Sequence, residues 1–167
     1  IEKAKWGYSF FDKNENRKKN IINSRLETIN NKILFKDSYH KRKCIIPING
    51  YYEWGIKNNK KIPYFIHIPP LESMYLAGIW KYSNFQKNNQ KVFSIITKNA
   101  NTDICKIHSR MPVILSNEEG EDYLQDNNSS FLQTDFLSNI ESELDFYAVS
   151  NFVNSPLNNS LECIKSI

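Results

Sequence analysis

The chain has 167 residues, a length that suits one compact domain, since domains cluster around ~100–150 residues. Its 40% hydrophobic and 13% aromatic content supplies a core and excludes a disordered chain, despite a mean hydropathy of -0.56. The net charge of +4, from 22 basic and 18 acidic residues, is compatible with an anionic partner but does not by itself predict nucleic-acid binding.

The first part of the chain predicts an extended segment, a loop and a helix. Residues 5–11 (KWGYSFF) are aromatic and predict an extended segment, and residues 12–20 predict a basic, polar loop. Apolar side chains at helical spacing predict a short helix over residues 33–39, which leads into the basic cluster 40–43.

Two aromatic or apolar runs follow the basic cluster. Residues 44–48 (CIIPI) and 51–54 (YYEW) predict two strands. They flank Asn49-Gly50, a strong turn dipeptide, so together they predict a β-hairpin. Pro47 lacks a backbone N–H, which predicts that the first of these strands lies at a sheet edge or a bulge.

The rest of the chain predicts short strands separated by short helices. Strands are predicted over residues 63–68, 74–80, 92–97 and 146–149, with a polar stretch at 84–90 and a loop at 108–112. One helix is predicted after Asn101, and another from Ser116, whose acidic neighbours suit the N-terminal end of the helix dipole. Trp80 is expected in the core. The pattern predicts an α+β fold: a single compact domain with a mixed, barrel-like sheet and short flanking helices.

The three cysteines, Cys44, Cys105 and Cys163, are far apart and form no CxxC pattern. They predict neither a disulfide framework nor a metal site, and each is interpreted as a small buried hydrophobe. No metal and no cofactor is expected. No apolar run approaches the ~20 residues that cross a bilayer and no signal peptide is visible, so we expect an intracellular location, cytoplasm or nucleus, and no membrane partner.

Two polar residues are candidates for proton transfer. His108 lies beside Arg110 in a polar segment, where an imidazole can exchange protons near an anionic ligand. Glu53 stands between Tyr52 and Trp54, whose rings would desolvate the carboxylate and favour its protonated form. Read alone, His108 is more typical of a surface turn and Glu53 of an outward-facing strand charge.

Residues 23–28 (NSRLET) combine an amide, a guanidinium and a carboxylate. Read alone, Asn23 or Ser24 is typical of a helix N-cap. The functional alternative places Arg25 on a phosphate and has Asn23 orient a reacting group. Aromatic residues such as Trp6 can stack on bases, although most aromatic side chains belong to cores.

Six segments of the chain, in matching order, resemble the motifs of the SOS-response-associated peptidase (SRAP) family. The two longest are residues 42–54 (RKCIIPINGYYEW), similar to RRCLIPADGFYEW, and residues 108–115 (HSRMPVIL), similar to HDRMPVIL. Residues 23–28 resemble NARxET, and Trp6-Gly7 resembles a WGL element. Shorter matches continue through residues 77–80 (AGIW) to the end of the chain.

The resemblance implies a specific reaction. Family members recognise abasic sites in single-stranded DNA and trap the ring-opened sugar aldehyde with an N-terminal cysteine, exposed when the initiator methionine is removed. The α-amine forms a Schiff base, and the thiol closes it into a thiazolidine. An α-amine with a pKa of about 8 is partly unprotonated near neutrality, which suits this reaction. The implied partner is single-stranded DNA with abasic sites, bound by a monomer.

The same motifs assign roles to individual residues. The implied catalytic residues are Asn23, which places the cysteine; Glu53, which moves protons; and His108, which assists sugar ring opening and crosslink reversal. The implied DNA-binding residues are Trp6, Arg25, Arg110 and Met111.

The chain departs from the family pattern at its start. It begins at Ile1 without a Met-Cys-Gly segment, so we expect residues 1–167 to be a SRAP-like domain that lacks its N-terminal segment and is inactive in crosslinking by itself. Ser109 also stands where the family has an aspartate. Two alternatives stay open: a non-catalytic single-stranded DNA binding module of the same fold, and a protease that acts on other proteins.

Overall fold

The computed structural model describes residues 1–12, 14–83 and 90–167. In this part the strands are β1 Lys5–Trp6, β2 Tyr8–Asp12, β3 Arg17–Ile21, β4 Asn23–Arg25, β5 Lys43–Ile48, β6 Gly50–Lys57, β7 Lys60–His67, β8 Met74–Tyr82, β9 Lys91–Asn99, β10 Arg110–Pro112, β11 Ile114–Leu115 and β12 Asp145–Ala148. The α-helices are α1 Leu26–Ile29, α2 Ile33–Lys41 and α3 Asn117–Gln125. Short 3-10 helices span Ile104–Lys106, Glu141–Glu143, Asn151–Asn154 and Leu161–Ile164.

A seven-stranded mixed sheet is built around β9. β8 and β10 pair antiparallel with one edge of β9, and β1 and β4 pair parallel with its other edge. β5 and β11 pair antiparallel with β8. The order β12-β7-β6 forms a second, three-stranded sheet, and β2 and β3 form a hairpin. The predicted α+β fold with a mixed sheet is confirmed, although the described sheets stay open and do not close into one barrel.

The predicted hairpin over residues 44–54 is wrong. β5 pairs with β8 of the large sheet, whereas β6 pairs with β7, so Asn49-Gly50 carries the chain from one sheet to the other. The hairpin turn lies at Asn58-Asn59, where φ is 52° and 59°. Asparagine tolerates this left-handed conformation, which a two-residue hairpin turn requires. Pro47 lies in β5, which pairs only with β8 in the described part. The edge position predicted from this proline is therefore confirmed.

The predicted loop over residues 12–20 is also largely wrong, because β2 and β3 pair in register from Tyr8↔Ile21 to Asp12↔Arg17. A polar strand without alternating apolar residues produces no period-two signal. The helices predicted over 33–39 and from Ser116 are confirmed as α2 and α3. The predicted polar stretch 84–90 falls almost entirely outside the described residues.

The large sheet separates two hydrophobic clusters. On one face α2 and α3 cover the sheet, and Phe35 and Tyr123 pack with Ile96 of β9. On the other face the three-stranded sheet covers it, and Ile66 packs with Ile95. No described helix is long and apolar enough to span a bilayer.

Two expectations about burial are wrong. Trp80, which was expected in the core, is only partly buried, and it lies near the end of β8 beside the exposed Tyr82. Cys105 is exposed. Cys163 is buried, and burial raises the pKa of the partly buried Cys44 thiol to about 12, which keeps it protonated and unreactive at neutral pH.

Candidate functional site

A cavity of about 350 Å³ lies between the large sheet and the three-stranded sheet. All of the predicted site residues line it, although they come from β1, β4, β6, β10 and the segment just before β10. The complete lining is Trp6, Asn23, Arg25, Tyr51, Tyr52, Glu53, Leu76, Ile95, Thr97, His108, Arg110, Met111 and Pro112.

The carboxylate of Glu53 and the imidazole of His108 lie close together in this cavity, with 3.9 Å between Oε1 and Nδ1. The Glu53 side chain is 27% exposed and that of His108 44%, so both groups are accessible to a ligand. Nδ1 of His108 lies 3.1 Å from both the backbone nitrogen and the backbone oxygen of Arg110, which fixes the ring orientation. A carboxylate and an imidazole at this distance can pass a proton to or from a bound group.

Asn23 and Arg25 reach the cavity from β4, which lies beside Ile95 and Thr97 of β9. Side chains alternate along a strand, so both are exposed while Ser24 between them is buried. The N-cap interpretation of Asn23 and Ser24 is wrong, because helix α1 begins after Arg25 and has no side-chain cap. The amide of Asn23 and the guanidinium of Arg25 are instead free to meet a ligand at the rim.

The guanidinium of Arg110 is held by internal acceptors. It forms a two-point ion pair with Glu27, with distances of 2.6 Å and 3.0 Å. It also donates to Asn99 Oδ1 at 2.8 Å and to the backbone oxygen of Thr97 at 2.7 Å. The remaining donor of this guanidinium, Nε, is buried and has no hydrogen-bond partner among the described residues. The resemblance implies a phosphate contact for Arg110, and this stays a prediction.

Trp6 and Met111 differ in how exposed their side chains are. Trp6 is 46% exposed, and its Nε1 donates to the backbone oxygen of Ile22 at 2.9 Å. Met111 is 1% exposed, and its sulfur accepts a hydrogen bond from the backbone N–H of Asn101 at 3.4 Å. Met111 therefore belongs to the packed wall of the cavity, and its contact with DNA stays a prediction.

Glu27 and Thr97 were not predicted from the sequence as residues of the site. Glu27 lies within residues 23–28, but nothing local indicates that its carboxylate meets Arg110, 83 residues away in the chain. Thr97 ends the predicted strand 92–97, and alternation within that strand groups it with Ile95 without indicating which face is functional.

The sequence profile described as SOS response associated peptidase (SRAP) matches residues 1–156. The chain therefore belongs to the SRAP family.

Similar proteins agree with this assignment, and a solved structure shares the fold. The chain is 35% identical over 169 residues to the abasic site processing protein YoaM of Bacillus subtilis (strain 168), which covers 98% of this chain and 74% of that protein. It is 30% identical over 167 residues to the abasic site processing protein HMCES of Gallus gallus, covering 87% of this chain and 50% of that protein. A crystal structure of a Bacteroides thetaiotaomicron protein has a TM-score of 0.74 at 28% identity, covering 88% of this chain and 66% of that one.

Proposed function

We propose that this protein recognises abasic sites in single-stranded DNA and bonds to them covalently through an N-terminal cysteine, after removing its own initiator methionine. One observation carries the proposal: Asn23, Glu53 and His108 line one cavity together with the exposed Arg25 and Trp6. The names of the relatives, abasic site processing proteins, support the same substrate.

The reaction uses the α-amine and the thiol of the cysteine in turn. The amine attacks the sugar aldehyde, the adduct loses one water to give the imine, and the thiol then adds to the imine carbon to close the thiazolidine. Proton transfers accompany each step, and Glu53 and His108 mediate them; the 3.9 Å between Oε1 and Nδ1 supports this role. The amide of Asn23 orients the cysteine, and holding both nucleophiles at one carbon makes ring closure intramolecular.

The proposal is tested with a single-stranded oligonucleotide that carries one abasic site. The complete protein, with its N-terminal cysteine, should yield a slowly migrating covalent band on a denaturing gel. An undamaged oligonucleotide should yield none. A folded protein that binds the damaged strand with salt-sensitive affinity but forms no covalent band would reject the proposal and support the non-catalytic binding module.

Substitutions in the pair test its role. Glu53→Gln and His108→Ala should each slow crosslink formation or reversal by about 10²-fold, the usual scale of general acid–base catalysis. Glu162→Gln is a matched control, because this exposed carboxylate does not line the cavity. Thermal melting shows whether each variant is folded, and a variant that unfolds would mean that the residue is structural. A folded variant with an unchanged crosslinking rate would exclude the residue from the mechanism.

A further inference from the structure

The face of the large sheet that carries the cavity continues past it along β9. Side chains alternate in a strand, so Ile95, Phe93 and Lys91 share one face. Ile95 lines the cavity. Trp6 joins the two regions, because it lines the cavity and also stacks on Phe93 with 6.4 Å between ring centroids and 7° between ring planes.

Strand β8 widens this face. Trp80 is paired with Phe93, and Tyr82 is paired with Lys91. The rings of Trp80 and Tyr82 pack edge to face with centroids 5.5 Å apart, and Tyr82 is 50% exposed. The ammonium of Lys91 lies 4.7 Å from the Trp80 centroid and 5.8 Å from the Tyr82 centroid. We call Trp80, Tyr82, Phe93 and Lys91 the aromatic surface.

We propose that the aromatic surface binds the nucleotides next to the lesion in single-stranded DNA, an inference that rests on the proposed function. Aromatic side chains stack on bases of any sequence, and a cation beside them attracts the phosphates. Ile95 and Lys91 are separated along β9 by roughly 13 Å at ~3.3 Å per residue. That length accommodates a few stacked nucleotides at ~3.4 Å each.

The continuity of this face selects DNA as the occupant. A strand whose abasic sugar lies in the cavity must leave it with bases exposed, and Trp6, which stacks on the partly buried Phe93, presents its ring at that exit. Lys91 is paired with Glu2, whose side chain is 66% exposed. A bound phosphate therefore replaces an exposed surface carboxylate, and no buried group has to move.

The experiment measures equilibrium binding of labelled single-stranded oligonucleotides, undamaged and abasic, to the complete protein by fluorescence anisotropy. Tyr82→Ala should weaken both affinities by about 5-fold or more, the loss expected for one stacked base. Tyr82→Phe should bind like the unmodified protein, because the ring remains. Phe152→Ala is the matched control: Phe152 is an aromatic residue, 43% exposed, that lies outside the cavity and the aromatic surface.

Oligonucleotides that extend from the lesion in only one direction sharpen the test. The Tyr82→Ala effect should appear with nucleotides on one side of the abasic site and vanish when only the other side is present. If Tyr82→Ala binds every oligonucleotide with unchanged affinity, the inference is overturned. If Tyr82→Ala instead weakens self-association of the protein while DNA binding is unchanged, the occupant of the aromatic surface is a second copy of this chain. Tyr82-dependent binding without any covalent product would keep this inference and reject the proposed crosslinking.

Discussion

At the scale of single residues, the ion pair between Arg110 and Glu27 connects the two halves of the candidate site. Arg110 lies on β10 and orients His108, whereas Glu27 lies on α1 directly after the strand that carries Asn23 and Arg25. The hydrogen bond from Arg110 lowers the pKa of the Glu27 carboxyl below its usual value of 4.5, although partial burial opposes the shift. The pair therefore stabilises the folded state in a pH-dependent way.

Glu27→Gln should lower the free energy of unfolding at pH 7 by about 1–2 kcal/mol, less than a fully buried charged hydrogen bond because water reaches this pair. Since the pKa of Glu27 is depressed in the folded protein, the stabilisation is present above the unfolded value of 4.5 and is lost as pH falls through the folded value. Thermal melting from pH 7 to pH 3 should show that the melting temperatures of Glu27→Gln and the unmodified protein become similar in acid. Asp103→Asn, which removes an exposed ion pair with Lys106, is the control and should change little at any pH.

At the scale of elements, the start of α3 joins a local cap to a long-range contact. Ser116 accepts a hydrogen bond from the backbone of Glu119 at 3.2 Å, and Glu119 accepts one from the backbone of Ser116 at 2.8 Å. The same carboxylate also accepts from the backbone N–H of Asn139 at 2.9 Å and from the Ser138 hydroxyl. Glu119 therefore links residues 138–139 to the start of α3 through hydrogen bonds.

Ser116→Ala should destabilise the protein by about 1 kcal/mol, the usual cost of losing an N-cap. Glu119→Ala should cost more, because it removes the reciprocal cap and both contacts with residues 138–139. Urea unfolding of the two variants measures the difference. Glu118→Ala is the control, since it removes a neighbouring carboxylate but keeps the cap and the contacts of Glu119 with residues 138–139. Equal losses of stability in Ser116→Ala and Glu119→Ala would show that the contacts with residues 138–139 contribute nothing.

At the scale of the whole molecule, a buried ion pair links the central strand to a distant segment. Nζ of Lys98, on β9, lies 2.5 Å from Oε1 of Glu141, and the two side chains are 6% and 1% exposed. Glu141 also accepts from the backbone N–H of Ser138 at 3.2 Å. A buried pair of this kind contributes little relative to an apolar pair, but either charge left alone is costly.

Lys98→Met and Glu141→Leu should each destabilise the protein by about 3–5 kcal/mol, because each leaves an uncompensated buried charge. The double variant should be much less destabilised than the sum of the two. A double-mutant cycle by denaturant unfolding checks this expectation. Additive losses would mean that the two charges are stabilised independently.

Local signals in the sequence were sufficient for part of the structure. Helix α2 and the capped helix α3 follow from side-chain spacing and cap residues, which act within a few residues of each other. Strands β7, β8, β9 and β12 follow from apolar and aromatic runs. Asn23, Glu53 and His108 were identified through ordered family motifs, since each alone was more typical of an ordinary surface or capping residue.

Tertiary structure alone decided which strands pair and what the site residues touch. The dipeptide Asn49-Gly50 indicated a hairpin, yet β5 and β6 belong to different sheets, because pairing depends on partners more than twenty residues away. The sequence by itself determined the fold class and indicated most of the residues that line the candidate site. Only the packing of the two sheets gathered those residues around one cavity, paired Arg110 with Glu27 and left Trp80 partly and Tyr82 half exposed. Such contacts join chain segments that no local pattern relates.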